Sequence, residues 1–495
     1  MRTELADGVL HVSCAAIGLA SWALARRLGP GRWRRAAFAL VFVCGLVSFP
    51  GIDRITGEGL LHPSELYHYV IGAKYFPELG YDGLYDATTR ATVDLALPQP
   101  ERVRDLVSNR VGPSSVSRAR GDRFQRRFTP DRWLDFELDV AGFDHAFGGI
   151  EREAVLDHGF NATPPWVALA RPIVGSAPVT RDRLLGLAAI DLGLLVALVL
   201  VLVRTFGAEK TALVVLFTGT AYTFRFAWIG GSLLRFDWLL ALGLALVALR
   251  RQRPLVAGLL LAWATASRLF PACFAAVTGL ALLVAAVTRG ERRPFGRYLL
   301  GYFVGLALAF LLGAATGRGP VAYREFAQRF ETHQRTWASN HVGFESVVVA
   351  YEIARPPAES PSIDPFEAYA ASVERARAAR KPLTLLAALA VFVAIGAASR
   401  RLRPEQVLPL GAILCFSMST ISGYYWVMLA LAPLVAPPRT TALLVACTFL
   451  HVAVELVLGE YAAAHGLVSV AFTAIFVDWL IVLVRDAGTR EAVPS

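Results

Sequence analysis

Lysine is almost missing from this chain: among 49 basic residues only Lys74, Lys210 and Lys381 are not arginine, and charged residues of both signs fill just 18% of 495 positions. So little charge excludes an ordinary soluble domain of this length. The arginines form no single basic face but short clusters between apolar runs, which argues against nucleic acid and for membrane topology. The five cysteines (Cys14, Cys44, Cys273, Cys415, Cys447) all fall in apolar stretches and form no CxxC pair, so neither a disulfide framework nor a zinc site is signalled. A P-loop and a GxGxxG strand-to-helix turn are missing too, which removes the usual ways of holding a nucleotide, and no internal repeat is seen. The first apolar run has acids before it and five arginines soon after it, unlike a cleaved secretory signal, and reads as a retained first span.

What is abundant is apolar surface. Hydrophobic residues make up 55% of the chain. Spans of roughly 20 apolar residues are expected near 6–25, 36–51, 183–204, 210–228, 233–249, 254–270, 272–288, 298–316, 382–399, 405–421, 423–437, 440–458 and 466–484, about thirteen in all. Every second connection is basic: RRLGPGRWRR, RTFGAEK, RRQR, RGERRPFGR, RRLR, PPRT and the tail RDAGTR. Short cytoplasmic loops retain arginine and lysine, so the N-terminus is expected outside and the C-terminus inside. The expected fold is an all-α polytopic membrane protein, divided into two N-terminal spans (1–51), a large outer loop (52–182), central spans (183–316), a second outer loop (317–381) and C-terminal spans (382–495). Loops this long usually carry function. The first has helical patterns at 64–76, 131–140 and 164–174 around an arginine-rich middle, 107–128, that reads as mobile.

Chemistry concentrates in HPSELYHYVIGAKYFPELGYDGLYD, residues 62–86. A helix from Ser64 puts Glu65, His68, Tyr69 and Gly72 on one side and Lys74 elsewhere, while Leu66, Val70 and Ala73 form an apolar stripe. A carboxylate beside a histidine at the outer boundary suits general-base work on a hydroxyl; the plainer reading of Glu65 is a helix-start acid favoured by the dipole. Asp53 is a second candidate base, or a simple interfacial charge. Lys74 and Tyr75 join His68 and Tyr69 as candidate substrate contacts.

Arg225, Arg235 and Arg268 lie near the outer ends of their spans, against the usual sidedness. Arginine at the helix centre costs roughly 2.5 to 3.5 kcal/mol, and guanidinium suits phosphate oxygens, so a lipid-phosphate site competes with snorkelling to headgroups. Asp237 is a candidate partner for one of them. His333, Asn340 and His341 in the second loop are candidate substrate contacts or part of a surface helix and its turn. Asp191, Glu455 and Asp478 are acids at membrane depth; His451 and Glu455 share a face and can satisfy each other. Asn161-Ala162-Thr163 matches a glycosylation sequon.

Three stretches carry a resemblance: SELYHYVIGAKYFPELGYDGLYD (64–86), the segment 230–274 ending in Arg268-Leu269-Phe270-Pro271, and SGYYWVMLALAPL (422–434). Their order resembles integral-membrane glycosyltransferases of the GT-C fold, most of all the polyprenyl-phosphate-sugar-dependent glycosyltransferase family 87. The chain departs from that family in having glutamate where aspartate is usual at position 65 and arginine where lysine is common at 268. The resemblance implies inverting transfer of a mannose-like hexose or pentose from a polyprenyl-phosphate donor to an envelope lipid or glycan acceptor. Glu65, or Asp53, would be the base, and Arg268 and Arg235 would meet the donor phosphate. No cofactor or metal is expected, and the bacterial inner membrane is the expected location. A transporter or lipid flippase using Asp191, Glu455 and Asp478, or a non-catalytic scaffold, is the competing class.

Overall fold

A computed structural model describes residues 2–51, 60–149, 154–226, 230–354 and 365–489. The described chain is nearly all helix, with two short antiparallel strand pairs, Arg102–Asp105 with Arg110–Pro113 and His341–Val342 with Ile421–Ser422. Among the described residues, six helices are long and apolar enough to cross a membrane: Glu4–Arg27, Arg181–Phe206, Arg292–Ala314, Tyr369–Ala398, Pro438–Val457 and Tyr461–Arg485. The chain is therefore a multi-pass membrane protein by helix length and composition.

The expected count of about thirteen long spans is not reproduced. The remaining apolar segments are helical but shorter, among them Ala208–Thr220, Asp237–Arg250, Pro254–Ser267 and Ala272–Thr288. Prolines and glycines divide 404–437 into brief α and 3₁₀ pieces, Pro404–Val407, Leu408–Leu410, Gly411–Met418, Gly423–Leu429 and Ala432–Leu434. Most of their side chains are buried in protein, the setting in which irregular backbone is tolerated at membrane depth. Helices Pro254–Ser267 and Arg292–Ala314 touch through glycine: a Cβ on Gly301 would stand 2.1 Å from the Leu255 carbonyl oxygen, so only glycine permits this approach.

The basic turns meet one another, through Arg34 donating to Glu209 at 2.8 and 2.7 Å and Arg289 donating to the Arg400 carbonyl at 3.1 Å. The two polar loops likewise meet each other: Asn109 donates to Thr336 at 2.8 Å, Arg318 to the Pro77 carbonyl at 2.9 Å, and buried Arg329 to the carbonyls of Leu106 and His158.

The first loop has its own aromatic core, in which Tyr67, Tyr75, Phe76, Phe136, Phe160 and Trp166 are fully buried. The stripe Leu66, Val70 and Ala73 faces into this core. The arginine-rich middle, expected to be mobile, instead forms the strand hairpin and helix Ser114–Gln125. Its anchor is Arg120, whose Nε and Nη2 donate to the two oxygens of Asp86 at 2.8 and 3.0 Å.

Candidate functional site

Pro63 at the first helical position and His62 as cap, its Nδ1 accepting from the Glu65 amide at 3.3 Å, start the helix that carries the loop acid. A π turn, Tyr67–Ile71, follows, then Gly72–Lys74. Single π turns recur at functional sites because they re-aim neighbouring side chains. Here Glu65, His68 and Tyr69 all reach the wall of a cavity of about 1970 Å³ between the two polar loops. Gly72, on the same side, lets the Phe160 ring close in: a Cβ there would lie 2.6 Å from it. His333, Asn340 and His341 line the cavity from the second loop, and Tyr424 and Tyr461 from the C-terminal segments.

Glu65 Oε2 accepts from Arg235 Nη1 across 170 residues of chain. The other Glu65 oxygen has no hydrogen-bond partner among the described residues. Arg235 is held from several sides: its backbone N–H donates to Asp191 Oδ1 at 2.6 Å, and its guanidinium lies 4.8 Å from the Tyr424 ring centre. The preceding residue, Leu234, has φ 49°, a left-handed conformation that a leucine adopts at a cost. Its carbonyl takes the Trp166 indole N–H at 3.1 Å. Packing on both sides of the turn therefore stabilises the strained residue that aims Arg235 at Glu65.

Arg268 stands beside this pair, 5.7 Å from the Tyr69 ring centre and 5.9 Å from that of Trp166. Its guanidinium makes no hydrogen bond among the described residues, and its buried Nε is unpartnered, as is Nη2 of Arg235. Buried donors without acceptors are costly, so this is a place where a ligand oxygen would be favoured. Asp237 lies within electrostatic reach of Arg268 but accepts its hydrogen bonds from Ser267 at 2.7 Å and Trp263 at 3.1 Å. Tyr69 donates to Asn161 at 2.8 Å, and burial pushes its phenol well above the usual value, so it stays protonated.

Lys74 and Tyr75 are not part of this group. Nine residues after Glu65 is about two and a half turns, and Lys74 points into the loop core, 2.5 Å from Asp139 and 2.9 Å from the Ala177 carbonyl. Tyr75 donates to the same Asp139 at 2.7 Å. Both are structural, a correction to their expected role as substrate contacts. Arg225 also parts company with Arg235 and Arg268: it donates to the Tyr222 carbonyl at 3.0 Å and lines a separate small pocket with His451, Glu455 and His465. Asp53 lies outside the described residues.

His333 and His341 are neutral near pH 7. Burial, reinforced by Arg329, lowers His333 to about 4, and burial with Arg377 nearby lowers His341 well below its ordinary value. His333 leaves a buried Nδ1 without a partner, as Asn340 leaves its Oδ1. His68 is already engaged, with Nε2 2.7 Å from the Tyr85 hydroxyl and 3.2 Å from the Ala154 carbonyl. Asp191 is fully buried as the acceptor for Arg235, and Glu455 bonds to His451, so two of the three acids that a transport path would use have local partners. Tyr424, Asn161 and Trp166 were not foreseen. The aromatic run SGYYWV hinted at Tyr424, but its approach to Arg235 depends on strand Ile421–Ser422 pairing with His341–Val342.

Comparison with protein families, curated proteins and solved structures finds no match for this chain.

Proposed function

We propose that this protein is a membrane glycosyltransferase that moves a sugar, a mannose-like hexose or a pentose, from a polyprenyl-phosphate donor to an envelope lipid or glycan acceptor. The observation that carries the reading is the Glu65 carboxylate on the wall of the large cavity, held by Arg235 and backed by the unpartnered guanidinium of Arg268. The reaction is a single displacement with inversion. The acceptor oxygen bonds to the anomeric carbon, its proton passes to the free oxygen of Glu65, and the bond to the donor phosphate breaks with its electrons staying on the phosphate. Arg268 and Arg235 offer their unpartnered N–H groups to the charge that develops there. The neutral His333 and His341 and the amide of Asn340 supply hydrogen bonds to sugar hydroxyls without adding charge. The polar-loop end faces outward from a bacterial inner membrane in this reading, with the basic turns in the cytoplasm.

The test is transfer by purified full-length protein in lipid nanodiscs given radiolabelled polyprenyl-phosphate-sugars and an envelope-lipid extract. Transfer of label to acceptor that Glu65→Gln eliminates supports the proposal. Label that stays on the donor with every sugar tried, or unchanged transfer by Glu65→Gln, refutes it.

A further inference from the structure

A second group of side chains lines a small pocket next to the cavity and takes no part in the proposed chemistry. His451 and Glu455 stand on the helical run Pro438–Val457, Glu455 inside the π turn Ala453–Val457, and His465 stands one turn into the next helix. One ligand atom from each lies within 4.8 Å of the other two. They line a pocket of about 10 Å³, room for a single small particle. That pocket shares Asn340, Tyr424 and Tyr461 with the large cavity.

We infer that His451, Glu455 and His465 form a binding site for a divalent transition metal, zinc in character, at the edge of the substrate cavity. Two imidazoles and one carboxylate with an open fourth position are a familiar zinc donor set. One of the two imidazoles, His465, has the outer partner that a metal-binding histidine needs. His465 Nδ1 lies 2.9 Å from the Tyr461 carbonyl, so this nitrogen carries the proton and leaves Nε2 bare. Gly423 keeps the space beside Nε2 open, since a Cβ there would fall 3.0 Å from that atom. The lining also holds buried polar atoms without partners, Thr223 Oγ1, Asn340 Oδ1 and His451 Nδ1, unlike a closed structural ion pair. Nε2 of His451 bonds directly to Glu455; a metal replaces the proton between them, which is released. Arg225 lines the same pocket, and its positive charge disfavours a bare dication, so the fourth ligand is an oxygen anion, hydroxide or a phosphate or carboxylate oxygen.

The experiment reads metal alone and is independent of sugar transfer. Chelator-stripped full-length protein in nanodiscs is titrated with Co²⁺ and, separately, with Zn²⁺. About one equivalent of Co²⁺ with the intense visible bands of tetrahedral coordination is expected, falling below about a tenth of an equivalent in His465→Ala and Glu455→Gln. Gly423→Ala, which removes no ligand, is expected to weaken uptake by crowding His465. No tetrahedral band in the parent protein, or equal uptake by the folded His465→Ala and Glu455→Gln variants, overturns the site. Should those variants fail to fold, X-ray absorption of the zinc-loaded parent decides: two imidazole shells support the site and an all-oxygen shell overturns it.

Discussion

Two carboxylates, Glu65 on the wall of the large cavity and Glu455 in the small pocket next to it, come from helical runs with the same irregularity, yet they are held in opposite ways. Glu65 precedes the π turn Tyr67–Ile71 and meets Arg235, 170 residues away, whereas Glu455 lies inside the π turn Ala453–Val457 and meets His451, four residues back. A local pair forms whenever its helix forms. A distant pair forms only when the first loop and the central helices pack correctly, so its geometry reports on the whole cavity. The same contrast separates Lys74 from Arg268. Lys74 is buried with Asp139 as a closed ion pair, while Arg268 is buried with no hydrogen bond from its guanidinium among the described residues. A paired buried charge is a structural device, and an unpaired one is a place for a ligand.

Glu65→Gln gives the largest effect, because the amide can still accept from Arg235 but cannot take a proton. Transfer rate should fall by about 10²- to 10⁴-fold with the thermal unfolding midpoint unchanged; a parallel loss of stability would make Glu65 a structural acid like Asp139. Lys74→Met should act in the opposite sense. Leaving Asp139 buried without its cation costs about 3 to 5 kcal/mol, read as faster proteolysis of the first loop, while the residual folded protein keeps normal turnover. Arg268→Gln breaks no guanidinium hydrogen bond among the described residues, so stability should hold while the KM for the polyprenyl-phosphate donor rises about tenfold, the loss of one charge-assisted contact. An unchanged KM would remove Arg268 from the phosphate site.

The smallest effect concerns His333. Its value is lowered from 6.5 to about 4 in the folded chain, so the unfolded chain takes the proton first. The stability contributed by neutral His333 is complete above pH 6.5 and is lost as pH falls from 6.5 towards 4. His333→Gln should flatten the acid slope of the unfolding free energy in that window and leave the region above pH 7 unaltered.

Some of this was legible in the residues themselves. Helical spacing put Glu65, His68 and Tyr69 on one side and Lys74 on another, and the structure keeps that division. The anomalous positions of Arg235 and Arg268 at span ends flagged charges in need of an explanation. Other features left no periodic trace. Helix Ser114–Gln125 has almost no apolar face and was read as mobile, because what orders it is Arg120 reaching Asp86, 34 residues away. The assignment of Tyr75 to substrate failed for the same reason, since Asp139 lies 64 residues on. The expected spans outnumber the six long apolar helices among the described residues because hydropathy is summed over a window and does not register the breaks that Pro409, Gly423 and Pro433 place in buried backbone.

By itself the amino-acid sequence determined that this chain is helical, apolar enough for a bilayer, and furnished with polar loops and an acid-aromatic helix. These are properties of neighbouring residues, summed along the chain. Only the tertiary structure decided that Glu65 faces Arg235, that Lys74 does not, and that His465 joins His451 and Glu455. Such meetings depend on side chains brought together by packing, and a distance between remote segments has no local signature.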